Sequence, residues 1–301
     1  AFWKIVRLLH IPSSLFPNPS VVHALTDFPY AVLAARFARA QKIPFIMNAI
    51  GTYSVAPFRH FPDRQLFEST VRSAVRIIAI SDYTARELRS VAPRSCLIET
   101  IHLPVAYPVA RGKEDWSVLN RLPQGKRFVI TVASGRIRGR KGFDILQTAM
   151  ASIVRVFPDA HLVAVGPEAV QCLHYTAFSS LPAAQLAALM VTCSLFAATP
   201  RRVGDYFEGY GLVYLEAGLY GKPVVASCSG GVPEAVHDGI TGILVPENDP
   251  HATATAIIKL LKDAPLAESM GMNGMRLART RNWEDYIRRI IRIYESDFRI
   301  R

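Results

Sequence analysis

Cysteine is scarce in this chain. Cys96, Cys172, Cys193 and Cys228 are the only four among 301 residues, with no C-x-x-C pair and no histidine at metal-ligand spacing from them. That excludes the common zinc modules and a disulfide framework, and leaves buried or idle thiols of a reducing cytosol. Long apolar runs are missing too: none reaches the ~20 residues that span a bilayer. Phe2–Ile11 is too short for a secretory signal and runs into a proline-rich stretch. RNA-recognition, helix-turn-helix and zinc-finger patterns do not occur, so nucleic acid is not an expected partner. Acidic residues are the minority, 24 against 35 Lys and Arg, for a formal net charge of +11. Such an excess suits a phosphate-bearing ligand or an anionic membrane face.

What is present is a globular α/β pattern. Half the residues are hydrophobic, enough for one large or two ordinary domains. Apolar β-rich runs alternate with helical stretches, the signature of parallel sheets. The spacing predicts strands at Val21–Leu25, Pro44–Ile50, Ile77–Ser81 and Leu97–Leu103, with helices at Ala31–Gln41 and Arg64–Ala74 between them. A second series predicts strands at Phe128–Ala133, His161–Gly166, Ser194–Thr199, Pro223–Ala226 and Gly242–Val245. Two Rossmann-like halves follow, with Pro104–Gly125 as the linker between them. Asp249-Pro250 is a helix start, Asp82 is read as a helix cap, and Trp283–Phe298 as a basic amphipathic last helix.

The run FEGYGLVYLEAGLYGKPVVASCSGGVPEAV, Phe207–Val236, carries the chemistry. Gly211 opens a helix whose free N–H groups and dipole suit a phosphate. Glu216 lies on that helix and Glu208 on the loop before it, so the pair can reach two parts of one ligand. Gly221 and Pro223 end the helix. Gly230 and Gly231 form a second close backbone approach before Pro233-Glu234 opens the next helix. Upstream, Arg136 and Lys141 lie on a loop after a strand, where ligands of parallel sheets bind. Arg138 and Arg140 also lie there, so a solvated basic turn is the alternative reading of this loop, and the glutamate run downstream favours the functional one.

This run resembles the E-x7-E signature of retaining GT-B glycosyltransferases, glycosyltransferase family 4 in particular. Ser134-Gly135-Arg136 with Lys141-Gly142 resembles the family's donor-diphosphate loop, and Gly239–Pro246, Ile80-Ser81-Asp82 and the segment from Trp283 follow in the family's order. The resemblance implies two Rossmann-like domains with parallel sheets facing a cleft. Residues 1–107 would be the acceptor-side domain, 108–282 the nucleotide-sugar domain and 283–301 a closing helix packing back on the first. It implies transfer of a hexose from a UDP- or GDP-linked sugar to a glycan, glycolipid or polysaccharide hydroxyl, with retention, no metal and no cofactor. Glu208, Arg136 and Lys141 take the catalytic roles. Glu216, Gly135, Gly211, Leu212, Val213, Gly230 and Gly231 hold the donor. Partners are the nucleotide sugar, an acceptor glycan or lipid-linked sugar and an anionic membrane surface, for a cytoplasmic protein that is peripheral on the inner membrane face.

Two departures stand out. The family opens with a strand, a glycine-rich turn and a long helix, whereas Ala1–Ile11 here runs almost directly into a later-type strand. The amino-terminal domain therefore reads as incomplete, and a second subunit that completes it is an expected partner. Ile50 stands where the family usually has a histidine near the sugar ring; isoleucine donates no hydrogen bond. These features support a rival expectation, a non-catalytic or partner-dependent protein that binds a nucleotide sugar. His23 reads equally as a core imidazole or an acceptor-side group beside Asp27.

Overall fold

Strands covered on both faces cannot alternate apolar with polar, and the buried runs of this chain fold accordingly as parallel strands. A computed structural model describes residues 19–107, 109, 112–133, 139–166 and 170–298. The chain divides into two units, Ala1–Leu103 with Glu284–Arg301, and Pro104–Trp283. Among the described residues no helix is long and apolar enough to cross a membrane.

The first unit holds β1 (Val22–Ala24), α1 (Tyr30–Gln41), β2 (Phe45–Ala49), the one-turn α2 (Thr52–Val55), α3 (Asp63–Ser73), β3 (Arg76–Ala79), α4 (Asp82–Val91) and β4 (Ile98–Thr100). Its sheet is parallel in the order β1-β2-β3-β4, with Val22 opposite Phe45, Ile46 opposite Arg76 and Ile77 opposite Ile98. Strand β2 is buried throughout. Helix α4 corrects one expectation: Ser81, not Asp82, is its cap, with Ser81 Oγ accepting the Thr84 N–H at 3.0 Å. The serine leaves the strand in extended conformation, as a cap must, so the acid falls inside the first turn.

From Glu284 onward the last helix, Trp283–Phe298, belongs to this unit. Ile290 and Ile293 bury against Ile46, Ile78 and Ile101. Its tyrosines extend a polar network into the sheet: Tyr294 Oη lies 2.7 Å from His23 Nδ1, and His23 Nε2 lies 2.9 Å from Asn48 Oδ1. Burial lowers the His23 pKa, as expected of a core imidazole. Arg76 completes the docking as a fork on Asp297, with bonds of 2.7 and 2.9 Å.

The second unit is built on β5 (Arg127–Val132), α5 (Phe143–Val156), β6 (Ala160–Val165), β7 (Val170–Gln171), β8 (Tyr175–Phe178), α6 (Ala183–Thr192), β9 (Leu195–Ala198), α7 (Leu212–Leu219), β10 (Val224–Ser227), α8 (Val232–Ala235), β11 (Gly242–Val245), α9 (Pro250–Lys262) and α10 (Ala264–Thr280). The sheet order is β11-β10-β9-β5-β6-β8-β7, parallel except that β7 runs against β8. The β7–β8 pair escaped the sequence reading because its strands are short and lack a long apolar run. The second half of the expected linker is also structured. Trp116–Arg121 forms a 3₁₀ helix with Val118 buried, and Asp115 accepts from Gln185 at 2.9 Å.

Helices α7 and α10 pack backbone to backbone. A Cβ on Gly218 would sit 2.8 Å from the Gly274 carbonyl, and one on Gly271 would overlap the Gly221 carbonyl. Gly218 inside α7 and Gly221 just past its carboxyl end thus meet Gly274 and Gly271 of α10 in antiparallel order. Gly271→Ala is expected to cost about 1–3 kcal/mol by overpacking, read as a lowered midpoint in urea at unchanged slope.

In the first unit, buried Asp27 accepts from Ser54 Oγ at 2.6 Å and from the Ile50 N–H at 3.1 Å. Burial pushes its pKa up to about 6, the two hydrogen bonds opposing. A carboxyl raised in the folded state stabilises fully below its unfolded pKa, and loses that contribution as pH rises through about 6. Asp27→Asn keeps an acceptor without the charge. From pH 4 to pH 8 wild type should therefore lose roughly 3 kcal/mol relative to the variant. Urea titrations at both pH values measure this.

Candidate functional site

In the second sheet the chain leaves β5 towards β6 on one side and leaves β9 towards β10 on the other. The strand order therefore reverses between β5 and β9. Loops leaving the carboxyl ends of two such strands splay apart and open a crevice. The loop after β5 carries Lys141 and the loop after β9 carries Glu208.

The structure joins these two loops. Lys141 Nζ lies 2.6 Å from Glu208 Oε2, and Arg140 Nη1 lies 3.4 Å from the same oxygen. Arg140 also donates to the Phe207 carbonyl at 3.2 Å. The Glu208 side chain is only 15% exposed, so the pair is shielded from solvent screening. Two cations face one carboxylate, which leaves an excess positive charge beside the crevice.

The Glu208 backbone is fixed from the opposite side. Gly231 N–H donates to its carbonyl at 2.9 Å. A Cβ at Gly230, which has φ of 59°, would overlap that carbonyl. The close approach expected of the glycine pair is thus made to the Glu208 main chain. The loop after β5 is equally constrained. Thr199 Oγ1 donates to the Gly142 carbonyl at 2.8 Å, and Arg201 N–H to the Arg140 carbonyl at 2.9 Å. Any side chain at Gly142 would overlap the Thr199 carbonyl.

Helix α7 starts at Leu212, with Gly211 as its cap at φ of 87°. The first-turn N–H groups, those of Leu212 and Val213 among them, have no acceptor within the helix. Glu216 lies on the same helix, half-buried. Burial raises its pKa, and no hydrogen bond or ion pair offsets that rise. Among the described residues, none donates a hydrogen bond to its carboxylate.

Of the residues singled out from sequence, Glu208 and Lys141 meet directly, and Gly230 and Gly231 hold Glu208. Gly211, Leu212, Val213 and Glu216 share one helix start. Gly135 and Arg136 lie outside the described residues. Arg140, not singled out for the site from the sequence, binds Glu208 and the carbonyl before it. Thr199 and Arg201 were missed; their place just after a central strand was the available signal. In the first unit Ile50 is 37% exposed, its backbone pinned by Asp27.

Comparison with known proteins gives the site a context. Residues 113–277 match the family model "Glycosyl transferases group 1". The GDP-mannose-dependent alpha-(1-6)-phosphatidylinositol monomannoside mannosyltransferase of Mycolicibacterium smegmatis is 35% identical over 223 residues. That match takes in 68% of this chain and 57% of the relative, so the chain spans little more than half the relative's length. Among solved structures, Anabaena HepE with UDP and glucose superposes with a TM-score of 0.78 at 20% identity, covering 98% of this chain and 80% of HepE. Sucrose-phosphate synthase from Thermosynechococcus elongatus gives 0.76 at 22% identity, covering 99% and 78%. The two structural likenesses establish a GT-B fold, and by the family match over more than half its length the chain belongs to the glycosyl transferases group 1 family.

Proposed function

We propose that the chain is a retaining glycosyltransferase of family 4, which moves a hexose from a nucleotide diphosphate sugar to an acceptor hydroxyl. The observation that carries the reading is the Glu208 carboxylate held by Lys141 and Arg140 at the switch point of the second sheet. In this reading residues 108–282 form the donor-binding domain, and 1–107 with 283–301 the acceptor side. GDP-mannose is the proposed donor, supported by the name of the Mycolicibacterium smegmatis relative.

The acceptor oxygen attacks the anomeric carbon from the face the diphosphate leaves. The bond to the diphosphate breaks, its electron pair stays on the phosphate oxygen, and that oxygen takes the acceptor's proton. The main work of the protein is to stabilise the developing charge. Lys141, Arg140 and Arg136 supply cations, and Gly211, Leu212 and Val213 supply N–H groups at a helix start. Glu208 accepts hydrogen bonds from the sugar, with Gly230 and Gly231 setting its height. Glu216 accepts from the ribose hydroxyls, which would provide the donors its carboxylate lacks.

For the acceptor we propose a lipid-linked sugar at an anionic membrane surface. The last helix supports this with half-exposed Trp283, Ile287 and Ile291, which follow one another at four-residue spacing beside exposed Arg292. Co-sedimentation with vesicles should rise with phosphatidylinositol content and fall in Ile287→Ser/Ile291→Ser. Equal binding to neutral and anionic vesicles would remove the charge argument.

The donor reading is tested by thermal shift with GDP-mannose, UDP-glucose, GDP, UDP and ADP. A donor at 100 times its Kd adds ~2.7 kcal/mol, a rise of roughly 4–7 °C. Glu216→Ala should abolish the rise. Lys141→Met should lower kcat/KM by roughly 10²–10³-fold. Donor binding without turnover would favour the non-catalytic reading, for which Ile50 is the specific observation.

A further inference from the structure

The antiparallel register of α7 and α10 has a consequence at its far end. Gly221 meets Gly271 and Gly218 meets Gly274. Extending the same register carries α10 past its carboxyl end to Arg281, opposite Tyr210 at the amino end of α7. There the Arg281 Nε–H donates to Tyr210 Oη at 3.2 Å. Tyr210 is 1% exposed and immediately precedes Gly211, the cap of the helix that bears Glu216. It also lies two residues after Glu208. Arg281 is itself fixed by its backbone, whose carbonyl accepts the Val105 N–H at 2.8 Å and whose N–H donates to the Ala278 carbonyl at 3.0 Å.

We infer that Arg281 is a positioning residue for the donor loop Glu208–Val213, acting through Tyr210 Oη. The inference rests on the donor reading given under Proposed function. Three constraints make the contact more than packing. The glycine register sets the height of Arg281 against α7. The Val105 bond holds the main chain of Arg281 whatever its side chain. The phenol is buried, so its oxygen has little access to water as a substitute donor. Between Tyr210 and the first helical N–H groups stands only Gly211, whose positive φ lets the chain pivot. The phenol–guanidinium bond therefore restrains the residue between the two glycines, Gly209 and Gly211, that join Glu208 to the helix start. Without it, the two carboxylates and the N–H groups no longer arrive pre-set, and the donor must order them on binding.

The test is a double-mutant cycle on the full chain with Tyr210→Phe, Arg281→Met and both together. The probe is GDP-mannose, with UDP-glucose in parallel, and the readouts are donor Kd by calorimetry and unliganded Tm. Each single variant should weaken donor binding roughly tenfold, and the double variant no further than twofold beyond that. Arg281→Lys, which still offers a donor to the phenol, should recover most of the affinity. Unchanged donor Kd in both single variants, with only Tm lowered, would overturn the positioning role. Additive losses in the double variant would do the same, since the two residues would then act separately. Glu216→Ala separates the two levels of the argument. If it loses donor binding while the Tyr210 and Arg281 variants keep it, only the positioning role falls. If it binds as well as wild type, or wild type binds neither donor, the donor site is misplaced and the positioning role falls with it.

Discussion

Glu208 is held at both its ends, and the loops of the second sheet are organised around that grip. Its carboxylate is taken by Lys141 and Arg140 from the loop after β5, and its carbonyl by Gly231 from the turn after β10. Three crossovers of a parallel sheet would otherwise end independently, each loop paying its own ordering entropy. Joined through one residue, they order together. The bare Cα of Gly230 is what makes the grip possible, because a side chain there would push the Glu208 carbonyl off the Gly231 N–H. A partly buried charge pair is weak evidence for stability on its own. Here it defines a geometry that a solvated loop would not keep.

Strand existence was legible because the buried runs are long, apolar and β-branched. Runs such as Val129–Val132 and Leu162–Val165 allow few other readings. Two strands were illegible for the complementary reason: Val170–Gln171 and Tyr175–Phe178 are short, and the first is the edge strand of the sheet. The cap of α4 was misassigned because Ser81 and Asp82 both fit the composition rule; only the extended backbone of Ser81 decides. In the site, Glu208 and Lys141 were legible from motif, but their contact was not. Arg140 shows why: four neighbouring cations, Arg136, Arg138, Arg140 and Lys141, look alike in sequence, and the Arg140 contact with Glu208 is a tertiary fact. The glycines were legible as close approaches, but not what they approach. For Gly230 it is the Glu208 carbonyl, a tertiary fact.

The net charge of +11 was the least informative bulk property. A few of the cations form ion pairs within the chain. Arg76 forks onto Asp297, Arg127 meets Asp159, Arg201 meets Asp144, and Arg288 meets Glu284 and Asp285. Several of these are exposed and contribute little to stability. The excess positive charge beside the crevice comes from two residues whose counter-charge, Glu208, is itself assigned to the ligand.

That last point bears on how the proposed reaction is driven. A cation free in solvent must shed water and reorient when a diphosphate arrives, and both steps raise the barrier. Lys141 and Arg140 have already made that adjustment against Glu208, at 2.6 and 3.4 Å. In the proposed reading, a diphosphate entering beside them would need only to share the cations, and sugar hydroxyls would replace the displaced part of the Glu208 coordination. In that reading, charge stabilisation falls to the cations and helix N–H groups of the second unit, and these are the groups the fold sets in place beforehand.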